Sequence, residues 1–326
     1  MKLELTIDLQ YVVTAIVIFL TVRWLLWKLK VGNYNTRYVF ITGCDTGFGK
    51  LLAQRLDKLG CHVIAGCMTS SQCTELKKVC SNRLETVVMN VCDVKSIETA
   101  RKHVEKFLPG DKSLWAIVNN AGISGNIAPT EWTSNESFKS VIEVNLLGVM
   151  YVAKEFLPLV RREKGRVINM ASIMGRFAIS TAGYSASKFG VEGFSDQLRR
   201  ELYRAGVSVH LIEPGYFRTG IVEENHLALS MSKSFKESTP EVQKFYGKSY
   251  LQTTTERSTK ALTLIMSSDL NKVINAYEHS ITAKYPKTRY VVGWDSQILF
   301  RLLWNLPECI SDFIVSRGMA VPEGAQ

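Results

Sequence analysis

The chain contains no Cys-x-x-Cys pair, and no cluster of cysteine and histidine has the spacing of a zinc site. A metal-dependent mechanism therefore has no support. The seven cysteines, Cys44, Cys61, Cys67, Cys73, Cys80, Cys92 and Cys309, are odd in number and cannot all pair internally. They read as mostly reduced, buried small residues. No dense run of lysine and arginine with interleaved aromatics is present, which argues against nucleic acid as a partner. Internal repeats, low-complexity tracts and long Pro/Gly/Ser linkers are also missing. With 326 residues, 46% hydrophobic and 21% charged, the expected organisation is one large domain with a short appendage at each end.

Positive charge is in excess. The formal net charge of +10 fits a basic soluble surface, attraction to anionic lipid, or a phosphate-bearing ligand. From Leu9 to Val22 there is no charge at all; Arg23 interrupts, and Trp24–Trp27 is apolar again before Lys28 and Lys30. As a helix, Leu9 to Trp27 spans about 28 Å, close to the hydrocarbon thickness of a bilayer. Arg23 lies near one end, where it can snorkel, and Trp24 and Trp27 suit an interfacial belt. A cleaved signal peptide would show a small-x-small site, but Trp, Leu and Lys follow. Residues 1–30 are expected to be an uncleaved membrane anchor, the alternative being a buried first helix. Lys28, Lys30 and Arg37 outweigh the charge before the anchor, where Glu4 and Asp8 offset Lys2. The positive-inside rule then puts the main domain in the cytosol.

After Gly32 short apolar runs alternate with helical stretches. Residues 37–42, 62–66, 84–91, 114–122, 165–172 and 207–215 read as strands. Residues 50–60, 74–80, 96–107, 138–160 and 184–204 read as helices. This alternation predicts an α/β fold, a doubly wound parallel sheet with helices on both faces. Such sheets bind ligands at the carboxyl ends of their strands.

The first strand ends in Thr42-Gly43-x-x-x-Gly47-x-Gly49 and a helix follows. Glycines let the backbone turn tightly and approach a diphosphate, and a helix N-terminus offers free N–H groups to it. The turn is not a Walker A loop, which needs Gly-Lys-Ser/Thr. The second strand should end near Cys67-Met-Thr-Ser-Ser, which holds neither an acid nor an arginine, and Thr46 before Gly47 offers no cation to a 2′-phosphate. That leans weakly to NAD over NADP. Tyr184 and Lys188 stand four apart, on one face of a helix. A Tyr-x-x-x-Lys arises readily by chance, so alone it says little.

Taken together, the glycine turn, Asn-Asn-Ala-Gly at 119–122, Asn145, Ser172, Tyr184-x-x-x-Lys188 and Pro-Gly-Tyr-Phe-Arg-Thr at 214–219 resemble the short-chain dehydrogenase/reductase family. The resemblance covers roughly residues 36–300. It extends to the membrane-bound branch with retinol dehydrogenases and 3α/17β-hydroxysteroid dehydrogenases, through stretches such as ITGCDTGFGK and GVEGFSDQLRREL. It implies a Rossmann-type single domain, NAD as cofactor with NADP the lesser option, and oxidation of a lipid-like alcohol at the endoplasmic reticulum membrane. A homodimer is the family-level expectation. Other alcohols, such as a short hydroxyacid or a prostaglandin, and a catalytically silent NAD(H)-binding scaffold remain as alternatives.

The resemblance assigns roles. Tyr184 is the general acid/base. A free tyrosine, with pKa near 10, is a poor base at neutral pH. A unit charge ~4 Å away is worth up to ~4 kcal/mol at an effective dielectric of ~20, against ~1.4 kcal/mol per pKa unit, so Lys188 can tune it. Lys188 also binds the nicotinamide ribose, Ser172 holds the substrate oxygen, and Asn145 holds a water that feeds a proton relay. The cofactor-binding set is Gly43, Thr46, Gly47, Phe48, Gly49, Asn90, Asn119, Ala121, Gly122, Lys188, Pro214, Gly215, Phe217 and Thr219. Asn90 departs from the family's usual Asp, keeping an acceptor oxygen but losing the charge. Residues 220–260 are expected to form a mobile lid. For the apolar run 298–307 three readings stay open, core, substrate wall or second membrane contact, and the tail 301–326 is expected to touch membrane or substrate. Asn135-Glu-Ser is a glycosylation sequon, meaningful only in a lumenal domain.

Overall fold

The computed structural model describes residues 9–179, 181–219 and 224–325. Leu9–Lys28 is a helix (α1) with no acidic residue in its first turn and no buried part. By length and composition it is long and apolar enough to cross a membrane. The sheet then begins with Tyr38–Thr42 (β1), buried at every position as a strand covered on both faces must be. Its period of two sends Val39 and Ile41 into one core and Tyr38 and Phe40 into the other.

Gly47–Lys58 (α2), His62–Cys67 (β2), Ser70–Lys78 (α3) and Leu84–Val88 (β3) follow. Then come Val94–Phe107 (α4), Leu114–Asn119 (β4), Asn135–Ile142 (α5), Gly148–Arg162 (α6) and Arg166–Met170 (β5). Ala182–Glu201 (α7) and Ser208–Pro214 (β6) lead to Glu224–Glu237 (α8), Pro240–Ile265 (α9), Asn271–Thr282 (α10) and Arg289–Val292 (β7). Arg301–Asn305 (α11) and Glu308–Gly318 (α12) complete the helices. The strands form one seven-stranded parallel sheet in the order β3-β2-β1-β4-β5-β6-β7. The winding reverses between β1 and β4, and the carboxyl ends of those strands open the crevice where such sheets bind ligands.

Two apolar layers hold the sheet. Leu52 and Leu56 of α2 and Val273, Ile274 and Tyr277 of α10 cover one face. Ile97 and Val104 of α4, Val152, Phe156 and Leu159 of α6, and Leu198 of α7 cover the other. Phe40 and Phe156 stack there with ring centroids 4.3 Å apart. All seven cysteines are free.

Some expected boundaries move. The third strand stops at Val88, because the Asn90 side-chain oxygen accepts from the Cys92 amide (3.0 Å) and turns the chain. The helix expected at 138–160 starts at Asn135, capped by Ser134, and passes through a π-helical turn at Glu143–Leu147. Residues 220–260, expected as a lid, hold α8 and most of α9; 220–223 lie outside the described residues. β7 was not foreseen. Arg289 occupies its first position, paired with Glu213, Glu192 and Asp196.

Phe156→Ala removes a fully buried ring from the α6 layer and is expected to cost about 3–5 kcal/mol of stability. Denaturant unfolding of the detergent-solubilised protein measures it.

Candidate active site

Tyr184 and Lys188 lie one turn apart on α7, with the Lys188 ammonium 5.5 Å from the centre of the Tyr184 ring. Lys188 is 2% exposed and donates to the Met170 carbonyl at 2.9 Å. Burial pulls its pKa down to about 8. Burial pushes the Tyr184 phenol above its usual value, opposed by a hydrogen bond with Ser172. By itself the pocket thus favours the neutral form of both groups. A further positive charge beside Tyr184 would favour the phenolate.

Ser172 stands just past β5. Its hydroxyl accepts from the Met174 amide (3.2 Å), capping the short turn Ile173–Gly175, and reaches the Pro214 carbonyl at 3.5 Å. It is a helical cap and a neighbour of the phenol at once. Asn145 lies in the π turn, fully buried. Its side chain grips Ile123 from both sides, accepting from the amide and donating to the carbonyl at 2.8 Å each. It also donates to Ser187 (3.2 Å), which in turn donates to the Tyr184 carbonyl (2.7 Å). A β-carbon on Gly122 would sit 3.2 Å from the Asn145 oxygen and 3.8 Å from the Lys188 nitrogen, so both face one small gap. The structure thus brings Asn145, Ser172 and the Tyr184–Lys188 pair together from three separate stretches of chain.

The glycine turn forms a second cluster at the end of β1. Gly43 has φ +68°, a left-handed conformation that favours glycine. A β-carbon on Gly49 would run into the Gly43 carbonyl and lie 2.5 Å from the Asn120 amide nitrogen. Thr46, the N-cap of α2, makes no side-chain cap bond, so the first-turn amides at Gly47, Phe48 and Gly49 are left for an anion. Asn120 ties the cradle together by donating to the Thr42 and Gly43 carbonyls (3.0 and 3.1 Å) and accepting from Tyr277 (3.2 Å). The Ala121 amide donates to the Thr42 hydroxyl at 3.1 Å.

On the far side, Gly215 donates to the Val292 carbonyl and packs so closely on Asp295 that a β-carbon would collide with the carboxylate. Asp295 also accepts from the Tyr216 amide at 2.8 Å, and burial raises its pKa. Phe217 meets Phe48 edge-on at 6.0 Å, closing the cleft between the two turns; Thr219 follows, half-buried. These shapes fit a dinucleotide: a cradle with no room for a side chain, open helix amides, and a cleft at the switch of the sheet.

The sequence pattern of the family described as short chain dehydrogenase matches residues 37–229. The chain is 41% identical to retinol dehydrogenase 16 of Mus musculus over 315 residues, 97% of this chain and 99% of that protein. The chain belongs to the short-chain dehydrogenase/reductase family. It is likewise 40% identical to 17-beta-hydroxysteroid dehydrogenase type 6 of Homo sapiens over 97% of this chain and 99% of that one. Among solved structures, a short-chain dehydrogenase from Streptomyces avermitilis superposes with a TM-score of 0.67 at 22% identity, covering 87% of this chain and 98% of its own. One from Burkholderia phymatum, in complex with NAD, gives 0.67 at 19% identity over 90% and 99%. At that identity the likeness is one of fold.

Two residues of this dehydrogenase stand apart from the expected set. Asn119 turns into the interior, donating to Asn169 (2.8 Å), which donates to Ser195 (2.8 Å); its neighbour Asn120 faces the cradle instead. Asp45 was missed. Its carboxylate accepts from the Met68 amide (2.8 Å) at the end of β2, where the sequence of β2 offers no acid. Asp45 follows Gly43 by two residues, so the only signal was its place inside the glycine turn. Asn90 binds Cys92 through its oxygen, as described.

A cavity of about 560 Å³ opens beside Ser172 and Tyr184. Ile127, Met174, Tyr216, Leu262 and Phe300 line it. The tail supplies another wall through Val315, Met319 and Ala320. Arg257 of α9 holds that tail by donating to the Gly318 and Met319 carbonyls (3.2 and 2.9 Å).

Lys188 gives a pH-dependent stability. Its folded pKa, about 8, lies below the unfolded value near 10.4, so between the two the unfolded chain binds more protons. The stability of the cofactor-free protein, relative to Lys188→Met, is expected to rise by up to about 3 kcal/mol as pH climbs from 8 toward 10.5. Unfolding of both proteins across that range measures it.

Proposed function

We propose that the protein is an NAD-dependent dehydrogenase that oxidises the hydroxyl of a retinol- or steroid-like lipid alcohol to the carbonyl. The observation that carries this reading is the apolar cavity of about 560 Å³ with Ser172 and Tyr184 at its wall. It suits a lipid with one hydroxyl presented to a polar end. The names of the relatives at about 40% identity support the same class.

When bound, NAD would supply the acceptor for the hydride that leaves the carbinol carbon. The chain does the rest. Ser172 Oγ holds the substrate oxygen, and Tyr184 Oη takes the hydroxyl proton. Lys188 supplies the positive charge that favours the phenolate and binds the nicotinamide ribose. Asn145, already committed to Ile123 and Ser187, turns its oxygen toward the gap beside Gly122, where a water can pass the proton on. The first turn of α2 holds the diphosphate. Asp45 at the end of β2 favours a ribose hydroxyl and repels a 2′-phosphate, which supports NAD over NADP.

Residues 1–30 are read as the membrane anchor, 36–300 as the catalytic domain and 301–326 as the tail. The endoplasmic reticulum membrane, with the domain on the cytosolic side, is the proposed location. The apolar length of α1 supports attachment, and Lys28, Lys30 and Arg37 support the orientation.

The test is NADH formation by the detergent-solubilised protein with all-trans-retinol, 11-cis-retinol, and androsterone- and oestradiol-type steroids. Turnover of one lipid class is expected; tight NADH binding with no turnover of any would overturn the reading in favour of a silent binder. Tyr184→Phe is expected to lower turnover by about 10²–10⁴-fold while leaving NADH affinity intact. Asp45→Ser is expected to narrow the preference for NAD over NADP about tenfold or more, read as the ratio of kcat/KM values.

A further inference from the structure

The end of α1 does not leave the domain on a loose tether. The Val31 amide donates to the Thr282 carbonyl and the Lys284 amide to the Leu29 carbonyl, both at 2.7 Å. Lys30 and Ala283 thereby form an antiparallel bridge, and His279 bonds the Trp27 carbonyl at 2.8 Å. The loop between α10 and β7 is therefore fixed against the last turn of α1. It brings Lys287 onto Trp27, close to Arg23, and Lys284 to the last turn of α1 through its bond to Leu29.

These residues form a collar of cations on rings. The Lys287 ammonium sits 4.0 Å from the centre of the Trp27 ring and the Arg23 guanidinium 4.7 Å from it. Lys28 sits 3.4 Å from Trp24, and Lys284 5.8 Å from Tyr285. Acid is missing. Glu278, the carboxylate nearby, is already shared by Lys30 (3.5 Å) and Arg55 (3.0 Å). Among the described residues no ion pair involves Arg23, Lys28, Lys284 or Lys287. The crowding has an electrostatic trace: the Lys287 pKa is lowered, by burial first and then by Arg23. The His279 pKa is lowered too, chiefly by burial, with Lys30 and Lys287 adding to it and the Trp27 carbonyl opposing.

We propose that this collar binds the phosphate-bearing headgroups of anionic phospholipids where α1 leaves the bilayer. The inference rests on the reading of α1 as a membrane anchor. Ring and cation belong together at that depth, since indole rings lie at the headgroup level and ammonium groups reach the phosphates. The domain itself, through Lys284 and Lys287, adds two charges to those of α1. Each cation so placed is worth roughly fivefold in attraction to an anionic surface. Such surfaces mark the cytosolic leaflet, which matches the proposed orientation.

The test uses the full-length protein in phosphatidylcholine vesicles that contain a minor share of phosphatidylserine. Bromine is carried on the acyl chains of one lipid or the other at equal mole fraction. Quenching of tryptophan fluorescence reports which lipid touches Trp24 and Trp27, with a Trp24→Phe/Trp27→Phe protein as background. The expected result is quenching several-fold stronger by brominated phosphatidylserine. Lys284→Gln/Lys287→Gln should lose most of that preference while brominated phosphatidylcholine still quenches. Equal quenching by both lipids in the unaltered protein would overturn the proposal and leave the anchor standing. A preference unchanged in the double variant would also overturn it. No quenching by either lipid would remove the anchor reading and the proposal with it.

Discussion

At the carboxyl end of β1 three stretches of chain meet with no space for a side-chain carbon between them. The Gly43 carbonyl, the backbone of Gly49 and the Asn120 amide fill the gap completely. Their contact fixes how closely α2 approaches β4, and so where the open amides of α2 point. Asn120 passes the constraint on to α10 through Tyr277, a ring sealed inside the core. The cradle and one face of the sheet are thus a single packed unit, and the site inherits its rigidity from the core.

The second cluster depends on burial of the opposite kind. Lys188 is buried and Tyr184 half-buried, which works against charge on either. What keeps the ammonium in place is a single main-chain oxygen, that of Met170. The π turn at Asn145 adds a second restraint by locking Ile123 over the same gap. Neither group is held by a counter-charge, so the pair stays responsive to any charge that enters beside it.

Much of this was legible in the residues. β1, β2 and β4 are nearly continuous apolar runs broken by turns, as strands buried on both faces require. The spacing of Tyr184 and Lys188 reports a shared helix face, whichever fold surrounds it. The illegible parts are those where partners far apart in sequence decide the outcome. β7 is only four residues long, and its first residue, Arg289, is held by Glu192, Asp196 and Glu213. Asp45 stands at the cofactor edge beyond β2 because the Met68 amide donates to its carboxylate. Asn119 and Asn120 are identical residues in sequence, and the alternation of β4 sends one inward and the other to the cradle. α8 and α9 are polar enough to read as loop, and their order comes from packing Trp132 against Phe235, Tyr246 and Tyr250.

The wall that the tail gives to the cavity has a consequence in time. α1 emerges from the ribosome long before the sheet, and every strand is made before Val315, Met319 and Ala320. Arg257 waits for the carbonyls of Gly318 and Met319 until then. During synthesis a complete nucleotide cradle therefore precedes a complete lipid cavity. The nascent protein presents an open apolar trough until its last helix docks.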